Sequence, residues 1–308
     1  MRRHTGGGWS AIRYTLAKSF SGATGPIDFW RRMASKNACK TCALGMGGQS
    51  GGMRNEAGHF PEFCKKSVQA MAADLQPPID PMLFHTRTVD DLARYTPRQL
   101  ENLGRLAYPL LRTTGSARFQ RIPWDDALYR AAEAMRATTA DRSFFYSSGR
   151  SSNAAAFLLQ WLARVYGTNN VNNCSYYCHQ ASGVGLSRSI GSGVATVTLE
   201  DLSHADFALL IGANPASNHP RLITQLVDLR RRGGQVVVVN PLWEPGLDRF
   251  QIPSQPLSLL FGSKVHDLYL QPRIGGDIAL VKGLLKVVLA ENATDSGFIQ
   301  AHTIGFEE

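Results

Sequence analysis

From Ile122 onward the chain alternates two apolar spacings. Pro123-Trp124-Asp125-Asp126 supplies a helix start with acids in its first turn, and Leu128, Ala131, Ala132 and Met135 continue at three- and four-residue intervals. Ser143-Phe144-Phe145-Tyr146 predicts a short buried strand, followed by a loop from Ser147 to Asn153 and a helix from Ala154 to Tyr166 that Gly167 stops. Further along, Phe207–Ile211 and Gln235–Val239 read as strands, with a helix from Leu222 to Arg232 between them. A last strand-like segment runs from Lys264 to Leu270, and a helix from Ile278 to about Glu291 follows. Short apolar runs separated by helices predict a parallel sheet covered on both faces. Residues 1 to about 108 are instead punctuated by Gly6-Gly7-Gly8, Gly45, Gly47-Gly48, Gly51-Gly52 and Pro77-Pro78, and read as loops around a small site. No internal repeat or low-complexity tract is present.

Composition narrows the class. The 308 residues, 44% hydrophobic and 19% charged, describe a globular protein of more than one domain. No apolar run approaches the ~20 residues that span a bilayer, and Met1 to Gly8 leads into no apolar signal core, so a cytoplasmic location is expected. Five cysteines, an odd number, argue for reduced thiols that bind metal or lie buried rather than for a disulfide framework. The formal charge is +9, but the basic residues are dispersed. Arg230-Arg231-Arg232 suits a solvated helix end, and Lys65-Lys66 stands beside Cys64. That dispersion argues against nucleic acid, while a cofactor carrying several phosphates would use the excess charge equally well.

Three strand-end segments carry ligand-binding chemistry: Gly212-Ala213-Asn214-Pro215, Asn240-Pro241 and Gly275-Gly276-Asp277. In parallel α/β sheets, ligands sit outside the carboxyl ends of the strands. Free N–H groups at helix starts suit pyrophosphate, and Asn and Asp suit ribose or guanine edges. Taken singly, each such segment is more often an ordinary turn, because Asn, Gly and Pro populate turns for conformational reasons. Cys39-x2-Cys42 has a spacing shared by zinc and iron–sulfur sites, and Cys64 with Lys66 follows. Cys178 followed by His179 places a soft thiolate ligand beside a proton-handling imidazole, although a buried cysteine and a core histidine fit the same letters. Cys174 reads as a small packed hydrophobe and His219 as structural. Tyr176-Tyr177 fits either shielding of a metal or core packing.

The run from Asn172 to Leu186, centred on Cys178-His179, resembles the active-site stretch of the molybdopterin-dependent oxidoreductases, in particular the formate dehydrogenase alpha subunit-like branch. The resemblance implies that Cys178 ligates molybdenum or tungsten and that His179 faces the substrate and accepts a proton. It implies that the three strand-end loops, through Gly212, Asn214, Asn240, Gly276 and Asp277, bind a bis-molybdopterin guanine dinucleotide cofactor. Cys64 resembles the final ligand of an iron–sulfur cluster, expected as 4Fe-4S with Cys39 and Cys42, and Lys66 the lysine between cluster and pterin. The usual third cluster ligand is absent, its position being held by Met46; structural zinc or plain thiols are the competing readings.

The implied fold is α/β. A small irregular metal-cluster region (1–108) precedes doubly wound parallel-sheet domains: the first part of a discontinuous α/β domain (109–172) and a pterin-dinucleotide-binding domain, truncated at its end (173–308). The implied function is oxidation of formate or a related small substrate, with electrons passing through the cluster to an unidentified acceptor. Family members are longer, so a C-terminal half, in cis or as a second chain, is expected as partner, and with it the arginine that holds formate. The alternatives are an inactive or incomplete fragment acting as a non-catalytic cofactor- or metal-binding module, and a small iron–sulfur or zinc protein without molybdenum.

Overall fold

The computed structural model describes residues 5–20, 24–36, 38, 51–55, 58, 60–149, 151–194 and 196–306. Contacts divide the chain into two units, one of Ala11–Asp201 and one of Leu202–Glu308 with Met1–Ser10. Among the described residues no helix is long and apolar enough to cross a membrane.

The first unit opens with helices, not loops. Helices α1 (Gly8–Phe20), α2 (Gly25–Met33) and α3 (Lys65–Asp74) form within a stretch that its glycines mark as irregular. Among the described glycines Gly8 and Gly25 open helices and Gly51, Gly52 and Gly58 lie outside them, while the apolar pairs Phe29/Met33 and Val68/Met71 recur at four- and three-residue spacing within the helices. These four residues are buried together, with Tyr14, Trp30 and Phe63 packed around them. Trp30 meets Phe29 and Phe63 edge-on, with ring centroids 5.6 and 5.2 Å away.

After helix α4 (Trp124–Arg136) the chain makes a β–α–β unit of strand β1 (Phe145–Ser147), helix α5 (Asn153–Tyr166) and strand β2 (Val171–Asn173). The strands pair in parallel, Phe145 opposite Val171 and Ser147 opposite Asn173. Ser152 caps α5 by accepting the Ala155 N–H at 3.2 Å, and Gly167 ends it at φ +106°, a left-handed conformation that glycine adopts without strain. The strand is not buried as expected: Phe144 and Tyr146 are 56% and 49% exposed, because among the described residues the sheet has two strands, and α5 covers the side of Phe145, whose ring meets Tyr166 at 6.0 Å. Two short helices follow directly, α6 (Cys174–Cys178) and α7 (Gln180–Ile190). Residues 173–201, expected to belong with the dinucleotide loops, are thus grouped by contacts with the β1–β2 segment.

The second unit is built on three parallel strands, β3 (Phe207–Ile211), β4 (Gln235–Val239) and β5 (Leu268–Leu270), with β4 central. Helix α8 (Pro220–Arg231) packs Ile223, Leu226, Val227 and Leu229 on Val236 and Val238 of β4. Among the described residues this is the face that a helix buries. Burial alternates along β3, leaving Phe207, Leu209 and Ile211 on the open face, and helix α9 (Asp277–Ala290) buries none of its residues. The strand expected over Lys264–Leu270 is two pieces, since Ser263–Lys264 pairs antiparallel with Arg249–Phe250 before β5 begins.

The basic helix end has structural partners. The Arg230 guanidinium bonds the Asp267 carboxylate through Nε at 2.9 Å and Nη2 at 2.5 Å, and Nη1 donates to the Lys264 carbonyl at 2.8 Å. Asp267 also accepts the Val236 N–H at 2.9 Å, so its carboxyl ties α8 to the sheet. Arg231 reaches Asp228 and Gln255, and Arg232 donates to the Leu202 carbonyl. The tripeptide closes the helix as expected, with Arg231 and Arg232 exposed, and its guanidinium groups are also held by protein partners.

Candidate functional site

The three parallel strands bring their carboxyl-end loops side by side. Gly212 donates its N–H to the Val239 carbonyl at 2.9 Å, and Asn240 donates to the Leu270 carbonyl at 3.0 Å, so Gly212, Asn240 and Gln271 form a row across the sheet end. Gly212 has φ +64°, and nothing lies within 4 Å of where its Cβ would be. Glycine is thus required by the backbone, and the space above it is open to a ligand.

The two asparagines are partly committed to their own turns. Asn214 Oδ1 accepts the Ser217 N–H at 3.2 Å, capping the single turn Pro215–Asn218, and buried Asn240 Oδ1 accepts the Leu242 N–H at 2.9 Å. The 240–244 loop is pinned further by Tyr269, whose hydroxyl donates to the Leu242 carbonyl at 2.6 Å and accepts the Glu244 N–H at 3.1 Å. Burial raises the Tyr269 pKa, which keeps the phenol protonated as a donor. Gly276 precedes α9 and Asp277 opens it, exposed, in the first turn. His219, expected as structural, is exposed between the Pro215–Asn218 turn and α8.

In the first unit, Cys178 and His179 lie just beyond the carboxyl end of β2. Asn173 ends the strand and caps α6, its Oδ1 accepting the Tyr176 N–H at 3.3 Å, and Cys178 closes the helix. His179 breaks the helix at φ −133°, ψ 13°, its N–H on the Ser175 carbonyl at 3.0 Å, while its own carbonyl accepts the Gly183 N–H at 2.9 Å. Both side chains are exposed, against the buried alternative. Gly183 and Gly185 do not form a turn but lie inside α7, where nothing comes within 4 Å of a Cβ at Gly185. Tyr176 and Tyr177 are 54% and 65% exposed, so core packing does not account for them. Tyr177 stands 6.2 Å from Tyr146, ring centre to ring centre.

Cys64 and Lys66 sit at the start of α3, both half-buried. The Cys64 N–H donates to Ser67 Oγ at 3.1 Å, which in turn donates to the Cys64 carbonyl at 2.7 Å, fixing the backbone that carries the thiol. Cys39, Cys42 and Met46 lie outside the described residues. Among the described residues no group of three His, Cys, Asp or Glu side chains gathers to hold a metal.

One contact was not legible as function. Cys174 is half-buried, and beyond the packing role expected of it its Sγ accepts the Gly149 N–H at 3.0 Å across the β1–β2 pair. The only sequence signal was glycine in the serine-rich loop after β1, a residue type that permits close approach.

Each unit of this α/β protein thus places candidate residues beyond the carboxyl ends of its own parallel strands, Cys178 and His179 in one and the three strand-end loops in the other. The chain belongs to the molybdopterin oxidoreductase family, whose model matches residues 105–303. Cys178, His179 and all five strand-end loop residues fall inside that match; Cys39, Cys42, Cys64 and Lys66 fall outside it. Protein YdeP of Escherichia coli is 37% identical over 80% of this chain and 34% of its own length. An uncharacterized oxidoreductase of Mycobacterium tuberculosis is 37% identical over 80% of this chain and 33% of its own. The alpha subunit of F420-dependent formate dehydrogenase 1 of Methanococcus maripaludis is 32% identical over 66% of this chain and 28% of its own. The chain thus spans about a third of the length of the curated relatives it matches first. Acetylene hydratase from Pelobacter acetylenicus, a solved structure, aligns with a TM-score of 0.48 and 23% identity over 66% of this chain and 26% of its own.

Family membership implies a molybdopterin cofactor. The donor set fits it: Cys178 offers an exposed soft thiol, and Gly212 offers open space beside a row of strand-end backbone.

Proposed function

We propose that this chain is part of a formate dehydrogenase-like oxidoreductase, with Cys178 as the protein ligand to molybdenum or tungsten. When bound, the metal–pterin centre supplies a two-electron acceptor for formate or a related small substrate. Cys178 contributes a soft, polarizable donor, and His179, on the next residue and exposed, accepts the proton that the substrate releases. Gly212, Asn214, Asn240, Gly276 and Asp277 hold the guanine dinucleotide ends of a bis-molybdopterin guanine dinucleotide cofactor. There Asp277 is exposed, whereas Asn214 and Asn240 each spend Oδ1 on a local turn. Cys39, Cys42 and Cys64 hold an iron–sulfur cluster of the 4Fe-4S type, and Lys66 lies between it and the pterin. The remaining protein, in cis or as a second chain, completes the substrate site and covers the apolar faces left open here. An electron acceptor receives the reducing equivalents.

The observation that carries the proposal is the placement of an exposed thiol and an adjacent exposed imidazole just beyond a parallel strand, inside the family match. The similarity to a formate dehydrogenase alpha subunit supports formate as substrate. The test is metal and pterin analysis of the complete protein, with formate-dependent reduction of an artificial dye. Stoichiometric molybdenum or tungsten with dye reduction is expected. A cofactor-loaded protein that leaves formate untouched sinks the substrate assignment.

A further inference from the structure

We propose that Cys174 is a positioning residue for Cys178, acting through a clasp onto the Gly149 amide; the inference rests on Cys178 being the metal ligand. The parallel ladder of β1 and β2 ends at the pair Ser147 and Asn173. Two residues beyond it on one strand and one beyond it on the other, the Gly149 N–H meets Cys174 Sγ at 3.0 Å. This bond extends the pairing past the ladder and joins the loop after β1 to the first turn of α6.

A five-residue helix does not hold its own orientation, because nucleation is costly and few bonds repay it. Its direction is set by the Asn173 cap, by the turn closed at His179 and by this clasp. Cys174 and Cys178 stand four residues apart, on one face of the helix, so an anchor at the first fixes the direction in which the second presents its thiol.

The fit is tight on the other side as well. A Cβ built on Gly149 would come within 2.6 Å of Cys174 Sγ, so an alanine there displaces the thiol or the loop. Gly149 is exposed, so water can satisfy its amide if the sulfur is removed; the clasp therefore governs position more than stability.

The test has one arm on the complete protein without cofactor and one with it. Without cofactor, hydrogen exchange at the Gly149 amide should be about five-fold faster in Cys174→Ala than in wild type, and Cys174→Ser, which keeps an acceptor, should restore protection. Equal exchange in all three proteins overturns the clasp. With cofactor, Cys174→Ala and Gly149→Ala should each lower kcat about ten-fold at unchanged KM and metal content, while Cys174→Ser stays within about two-fold of wild type. X-ray absorption at the metal edge should show the protein sulfur shell disordered in Cys174→Ala and absent in Cys178→Ser. A Cys174→Ala protein with wild-type kcat and sulfur shell refutes the positioning role. An unchanged sulfur shell in Cys178→Ser refutes the ligand assignment instead, so the two failures are distinct.

Discussion

Asp267→Asn removes the charge that joins α8 to the sheet while leaving a carbonyl oxygen for the Val236 N–H. Arg230 and the Val236 N–H together pull the Asp267 carboxyl down from an ordinary 3.8 to about 2, with the Arg230 hydrogen bonds the largest cause. That difference corresponds to at most about 2.4 kcal/mol of preference for the folded state. The two side chains are 22% and 34% exposed, so solvent screening reduces the effect to about 1 kcal/mol. The sign follows from a lowered folded-state pKa: the stabilisation is complete above about pH 4 and is lost as pH falls through 2. By about pH 3 roughly half should be gone. The assay is urea denaturation of the chain, followed by circular dichroism at several pH values between 3 and 7. The variant should be less stable by about 1 kcal/mol at pH 7, with the gap closing toward pH 3. A gap that is absent at pH 7, or that stays constant with pH, would refute the reasoning.

Gly212→Ala places a side chain at φ +64° and should cost about 1–2 kcal/mol by thermal melting of the cofactor-free protein; no change would mean that the loop relaxes freely. His179→Ala should lower turnover by about 10²-fold or more with metal content retained, as expected of a positioned proton acceptor, and loss of metal would make the imidazole structural instead. Anaerobically prepared protein should show broad visible absorption that Cys39→Ala or Cys64→Ala removes, whereas colourless protein with stoichiometric zinc would overturn the cluster.

The strand-end loops were legible because a parallel sheet leaves strong marks. Phe207–Ile211 and Gln235–Val239 are apolar runs too short for helices, and the segments after them carry the residues that turns and ligands both need. The helices of the first hundred residues were not legible, because glycine spacing dominates the pattern while Phe29/Met33 and Val68/Met71 are brief signals separated by long intervals. Burial was misjudged at Phe144 and Tyr146 because an apolar run reports a tendency to be covered, and the cover is not supplied by the residues paired with it. The role of Arg230 depended on Asp267, 37 residues away, which no local spacing reveals. Cys174 was read by residue type alone, and its partner Gly149 comes from the neighbouring strand's loop, a contact set by register.

The most direct test of the central claim is X-ray absorption at the molybdenum or tungsten edge of the complete, cofactor-loaded protein, compared between wild type and Cys178→Ser. If Cys178 is the protein ligand, the variant loses one sulfur scatterer and gains a lighter one at shorter distance, with formate-dependent dye reduction abolished. A metal environment and a rate indistinguishable from wild type would contradict the account.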